Sequence, residues 1–224
     1  SQTWNFLHIF KLYGMINFAN VLFYCCGNRV SGFAFQSKIE ILNINFMDYL
    51  DKYGYAPDRE EIGRAIEMIA ANMDNIASDQ VYKDCFSMMD LTTLKTDDTP
   101  ASVAKLVEKV NAFHKSYPEW PLPASVCVFS NFAATVKEVR KEDFNITVVS
   151  ACFPSSQSFL EVKLKEVEMA VEQGADEVDI VLALNAFLAG NYEVAAEEIR
   201  QVRGVIDEVA GKQGRSVHLK VILE

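Results

Sequence analysis

The chain has 224 residues, half of them apolar, and a formal net charge of −10 at pH 7. That is enough apolar material for a buried core within one globular domain, and it excludes a disordered or low-complexity chain. The acidic balance argues against a nucleic-acid binder, which needs clustered Lys and Arg against phosphates, and against docking on an anionic membrane.

The first segment differs from the rest. Residues 1–46 hold Lys11, Arg29 and Lys38 against Glu40 alone, a net charge of +2, and seven of the fifteen Phe residues. The remainder carries −12. The charge-free run Leu12–Asn28 is broken by Gly14, Asn17 and Asn20, and it is short for a membrane span or a signal core. Residues 1–46 are therefore read as an extension foreign to the folded domain, which begins at about Met47 and runs over 47–224.

From Met47 the texture is that of an α/β protein. Pro57-Asp58-Arg59-Glu60-Glu61 opens a helix, with proline and acids suited to its first turn, and Ile62, Ile66 and Ile69 follow at helical spacing. Met88–Leu94 reads as a first strand carrying Asp90. Asp98-Thr99-Pro100 starts a second helix with the stripe Val103, Leu106, Val107 and Val110, and Pro118, Pro121 and Pro123 mark a loop. Strands are then expected at Ser125–Phe129, Ile146–Ser150, Glu177–Ala183 and Val217–Leu223. The helices between them are expected around Ala133–Lys141, Leu160–Gln173 and Tyr192–Ala210, with Asn185–Asn191 as a loop. Gly174 suits the residue just past a helix end. The charge runs Glu138–Asp143 and Glu161–Glu168 read as solvated helix faces, and Met68, Met73, Met88 and Met89 as core or near-core.

Regular alternation of strand and helix implies a parallel sheet covered by helices. No Gly-x-Gly-x-x-Gly follows a strand, and no phosphate loop of the Walker type is present. The polar residues set inside strands favour a (β/α)8 TIM barrel over an open doubly wound sheet.

Those polar residues are the candidates for chemistry. Asp179 interrupts the apolar run Glu177–Ala183, and Lys220 interrupts Val217–Leu223. Each would cost several kcal/mol of desolvation if left unpaired. On neighbouring strands they can meet inside the barrel, either as a proton-relay pair or as a structural ion pair. Asp90 is equally a site residue or a local cap. Cys127, central in its strand, is either a site thiol or a small buried hydrophobe. Five cysteines without a Cys-x-x-Cys pair give neither a disulfide framework nor a zinc site, and three dispersed histidines give no metal cluster. Free thiols suit a reducing cytoplasm, so a cytoplasmic protein is expected.

Several of these segments resemble one family. Met89–Leu94 (MDLTTL), Ser125–Phe129 (SVCVF), Thr147–Pro154 (TVVSACFP), Gly174–Val181 (GADEVDIV), Ala189-Gly190-Asn191 and Leu219–Glu224 (LKVILE) are similar, in this order, to the successive strand motifs of deoxyribose-phosphate aldolases. The resemblance runs from about residue 81 to the end, and GADEVD is its most specific part. Phe153-Pro154-Ser155-Ser156 departs from the Phe-Pro-His/Leu-Gly form common there, and Cys152 stands where Asn is frequent.

The resemblance implies a class I aldolase on a TIM barrel, needing neither cofactor nor metal. It would cleave 2-deoxy-D-ribose 5-phosphate reversibly into D-glyceraldehyde 3-phosphate and acetaldehyde through a lysine Schiff base. By match of motif, Asp179 is the proton donor and acceptor, and Asp90, Thr92, Cys127 and Lys220 lie around the substrate. The expected partner is a small phosphorylated sugar or aldehyde, with no nucleic acid and no membrane; a homodimer is compatible. The family's Schiff-base lysine belongs to a Lys-Thr-Ser-Thr-Gly type motif on a sixth strand, and no such motif occurs in this sequence. The chain is thus expected to be the N-terminal portion of the barrel, holding about five strands and inactive by itself. Two alternatives stand beside this reading: a non-catalytic half-barrel serving as an interaction module, and another class I aldolase that uses Lys220 as its nucleophile.

Overall fold

The computed structural model describes residues 52–54 and 56–224. The chain divides into two compact units, Ser1–Ala56 and Pro57–Glu224, and the second holds the five described strands. The expectation for residues 1–46, together with Cys25, Cys26 and His8, falls outside the described residues.

Helices α1 (Arg59–Ala71), α2 (Met73–Ile76) and α3 (Asp79–Ser87) lead into strand β1 (Asp90–Thr92). There follow α4 (Pro100–Asn111), α5 (Phe113–Ser116), β2 (Ser125–Phe129), a 3₁₀ turn over Ser130–Phe132 with α6 (Ala133–Val139), β3 (Asn145–Val149), and α7 (Leu160–Glu172). The chain continues through β4 (Glu177–Val181), α8 (Leu184–Leu188), α9 (Tyr192–Lys212) and β5 (His218–Ile222). All strand pairs are parallel, and their order in the sheet is their order in the chain. These are five successive strands of a (β/α) barrel, joined by four helical crossovers.

Local signals set the element ends. Asp58 caps α1 by accepting from the backbone of Glu60 and Glu61. Thr99 and Ser102 form a reciprocal capping box around Pro100 at the start of α4, satisfying donors that the helix itself leaves free. At the end of α7, Gly174 adopts φ +110°, and its N–H and that of Ala175 turn back onto the carbonyls of Val171 and Ala170. Gly214 repeats this device after α9 at φ +67°.

The two faces of the sheet have opposite chemistry because side chains alternate along each strand. The outer face carries Val126, Val128, Ile146, Val148, Val178 and Ile180, all buried. They form one cluster with Val103, Val107 and Val110 of α4, Val136 of α6, Val167 and Val171 of α7, and Val202 and Ile206 of α9. Full burial of each such side chain is worth about 1.5–3 kcal/mol, so this layer holds the unit together. The inner face carries Asp90, Ser125, Cys127, Asn145, Thr147, Glu177, Asp179 and Lys220.

A second, polar fastening joins the strand entries. Asp176, just before β4, pairs with Arg140 at 2.7 Å and Arg215 at 3.4 Å, and accepts from the Ile146 backbone at 2.9 Å. Arg215 also donates to the carbonyls of Val171 and Ala175. One carboxylate thereby ties the end of α7, the start of β3 and the approaches to β4 and β5.

Several expectations are corrected. Asn185–Asn191 is not all loop: Leu184–Leu188 is a helical turn, stabilised by burial of Ala186 against Ala183 and Ala195. The charge run Glu161–Glu168 is not a solvated face throughout, because Lys163 is buried and pairs with Glu198 of α9 at 2.7 Å while donating to Ser156 Oγ at 2.9 Å. Arg140 in the run Glu138–Asp143 is likewise drawn inward by Asp176. Met68, Met73, Met88 and Met89 are exposed among the described residues, as are Ile62, Ile66 and Ile69 of α1. Their apolar spacing marks a helix face, but the elements described around it do not cover that face.

Replacing Asp176 by Ala would remove the carboxylate partner of Arg140 and Arg215 and the acceptor of the Ile146 N–H. A loss of about 2–3 kcal/mol in urea denaturation is expected. An unchanged denaturation midpoint would show that this fastening contributes nothing.

Candidate active site

The sheet register fixes the site. Asp179 pairs with Lys220 across β4 and β5, and Glu177 lies two residues earlier on the same face. Asp90 pairs with Ser125, and Thr92 with Cys127, across β1 and β2. Strands β1 and β5 end the sheet order, yet Lys220 Nζ lies 2.8 Å from Asp90 Oδ2. The sheet must curl strongly for its first and last strands to come within the reach of one lysine. The inner face is therefore concave, as in a barrel.

Lys220 Nζ sits among three carboxylates: Asp90 Oδ2 at 2.8 Å, Glu177 Oε2 at 2.9 Å and Asp179 Oδ1 at 3.3 Å. Their supports differ. Asp90 Oδ1 accepts from Ser125 Oγ at 2.7 Å. Glu177 accepts from Asn145 Nδ2 at 2.7 Å on one oxygen and from Thr147 Oγ1 at 3.0 Å on the other. Asp179 Oδ1 is buried, and its contact with Lys220 is the longest of the three and chiefly Coulombic.

The titration behaviour follows from these partners. For Asp90 and Glu177, burial raises the pKa, but contact with Lys220 and the donors Ser125, Asn145 and Thr147 outweighs it and holds both carboxyls below their ordinary values. For Asp179, burial prevails. Lys220 pulls the carboxyl down, Asp90 and Glu177 push it up, and the net shift is upward. One ammonium cannot neutralise three carboxylates, and the one with the longest contact and no neutral donor takes up a proton most readily. Lys220 itself is raised: burial lowers it, but Asp90, Glu177 and Asp179 more than compensate.

Cys127 is buried, and burial together with the negative charge of Asp179 pushes its thiol up to about 11. It is a neutral thiol in the wall of the site and not a thiolate nucleophile. Thr92 lies at the exposed end of β1, with its hydroxyl donating to the Asp90 carbonyl at 3.1 Å.

All five residues singled out in the sequence thus share the concave face. Sequence reading missed Glu177, Asn145 and Thr147. Glu177 opens its strand, where an acid reads as a solvated end, and Asn145 and Thr147 look like ordinary strand polars; only the register joins them. Among the described residues, no group of three or more His, Cys, Asp or Glu is placed to hold a metal ion. The acids of this face turn instead on the Lys220 ammonium.

Sequence and structure comparisons agree in direction. The chain is 32% identical over 177 residues to a Caenorhabditis elegans protein assigned to the deoxyribose-phosphate aldolases, covering 74% of this chain and 53% of that one. It is 33% identical over 148 residues to human deoxyribose-phosphate aldolase, covering 61% and 44%. It is 32% identical over 139 residues to the deoxyribose-phosphate aldolase of Agrobacterium fabrum, covering 62% and 49%. Two solved structures superpose with a TM-score of 0.51 at 24% identity, a likeness that speaks for the fold alone. One is an aldolase called QR15, with 62% of this chain and 55% of that chain covered. The other is a Coccidioides immitis protein assigned to the deoxyribose-phosphate aldolases, with 63% and 50% covered. No family model matches the chain. The chain spans about half the length of the curated relatives it matches. The sequence is thus similar to those of deoxyribose-phosphate aldolases, and the fold to that of solved aldolases.

Proposed function

We propose that this chain forms part of an aldolase site that reversibly cleaves 2-deoxy-D-ribose 5-phosphate into D-glyceraldehyde 3-phosphate and acetaldehyde. The observation that carries the reading is Asp179, an inner-face carboxyl held above its ordinary pKa beside a fixed ammonium and without a donor of its own. A group that must both take and give a proton works best when neither form is locked by its neighbours. Asp90 and Glu177 are locked as anions; Asp179 is not.

In this reading a lysine amine condenses with the substrate aldehyde and releases water. The protonated imine then accepts the electron pair of the breaking carbon–carbon bond. The substrate hydroxyl beside that bond loses its proton to Asp179 through the site, leaving glyceraldehyde 3-phosphate. Asp179 returns the proton to the enamine carbon, and hydrolysis frees acetaldehyde and the lysine. Lys220 keeps the site's net charge low, with Asp90, Thr92 and Cys127 lining it.

Lys220 is unsuited to be the nucleophile. An imine-forming amine has to be neutral at working pH, which requires a lowered pKa. Lys220 is the only lysine carried by a described strand, and three carboxylates hold it protonated. The imine-forming lysine would come from outside the described residues. No helix among the described residues is long and apolar enough to cross a membrane, and the substrate is a small water-soluble sugar phosphate, which suits the cytoplasm.

Two measurements test this. Borohydride reduction of the chain in the presence of acetaldehyde, followed by peptide mapping, should leave Lys220 unmodified; an adduct there would make Lys220 the nucleophile and remove Asp179's partner from its assigned place. Joining residues 57–224 to the remaining strands of the human relative should give a chimera that cleaves deoxyribose 5-phosphate. In that chimera Asp179→Asn should lower kcat about 10²–10⁴-fold, the usual worth of a general acid–base group. Activity insensitive to Asp179→Asn would contradict the assignment.

A further inference from the structure

Glu177 is the one acid at the site that the proposed chemistry leaves without a task. It is also the best anchored. Its side chain is 11% exposed, with both oxygens hydrogen-bonded from β3 by Asn145 and Thr147, and Lys220 lies 2.9 Å from the oxygen that Thr147 also bonds. A carboxylate so nearly buried costs desolvation, and three positive or polar partners offset it. Asp179, two residues on, stands farther from the same ammonium, at 3.3 Å.

We propose that Glu177 is a positioning residue: clamped by Asn145 and Thr147, it holds the Lys220 ammonium toward itself and Asp90, so that Asp179 keeps the longest of the three contacts and is free to exchange a proton. This rests on the reading of Asp179 as the proton carrier. The device is geometric. A lysine side chain has rotational freedom, and an unopposed ammonium between β4 and β5 would settle on its register partner Asp179. The pull from Glu177 and Asp90 prevents that.

The titratable groups facing Asp179 are Asp90 on β1, Cys127 on β2, Glu177 on its own strand and Lys220 on β5. His218, the register partner of Glu177, has an exposed side chain. β3 contributes the uncharged Asn145 and Thr147, which donate to Glu177.

This gives a test that separates position from charge. The full 224-residue chain would be labelled with ¹³C at aspartate carboxyls, and the Asp179 midpoint followed by NMR as pH is varied. Thr147→Val removes the hydroxyl that holds Glu177 and changes no charge; Asn145→Ala frees the other oxygen at an exposed position and serves if Thr147→Val fails to fold. The midpoint of Asp179 is expected to fall toward the ordinary aspartate range in either variant, and in Glu177→Gln as well. A midpoint that moves only in Glu177→Gln would overturn the proposal, since charge alone would then account for it. So would a midpoint that moves in none of the three. Failure of the aldolase reading would appear elsewhere, as an inactive chimera with the Asp179 midpoint still responding to Thr147→Val.

Discussion

The concave face depends on the Lys220 ammonium. Asp90, Glu177 and Asp179 come from two strands that are not neighbours, and without a cation between them three carboxylates would crowd a half-buried surface. Lys220 resolves this and does more. By reaching Asp90 it joins the two ends of the strand order, and by reaching Glu177 and Asp179 unequally it separates acids of one chemical type into different states. Two are held as anions by donors at their backs; the third is raised by burial and by the other two. One fold position thus produces both an electrostatic frame and a carboxyl whose protonation differs from that of its neighbours, which is how active sites can obtain distinct roles from like groups.

The cost of assembling such a face is met on the other side of the sheet. The outer residues of β2, β3 and β4 are fully buried Val and Ile, packed against four helices. Their β-branched shapes suit a strand covered on that face, and their burial holds the inner polar residues in a register that those residues would not choose for themselves. The Asp176 fastening acts at the strand entries in the same sense. The GADEVD segment can now be read position by position. Gly174 ends a helix, Ala175 is buried, and Asp176 ties the strand entries. Glu177 and Asp179 face the site, with Val178 between them in the core.

Much of this was legible in the sequence. Asp179 and Lys220 stand out because a charge inside an apolar strand demands a partner, and alternation places each on one face. The (β/α) order was legible from the spacing of apolar runs and breakers. Glu177 was not, because an acid at a strand start is unremarkable until a register places Thr147 beside it. The Asp90–Lys220 contact spans 130 residues and depends on curl, which no local pattern encodes. Lys163 was misread for a similar reason: its run looks like a charged helix face, and only the packing of α7 on α9 shows that the lysine is enclosed with Glu198. Conversely, the Ile stripe of α1 is a true helical pattern whose apolar face the described elements leave exposed.

Lys220 compensates the three inner-face carboxylates, and the thermal stability of Lys220→Met across pH measures that compensation. Without the ammonium, the carboxyls would be harder to ionise in the folded chain than in the unfolded one. A group with a raised folded pKa stabilises below its unfolded value, and that stability is lost as pH rises through the folded one. The variant should therefore match the parent chain at low pH, where the carboxyls are protonated, and fall progressively below it as pH rises toward neutrality. A difference in Tm that is the same at every pH, or absent at neutral pH, would contradict the account.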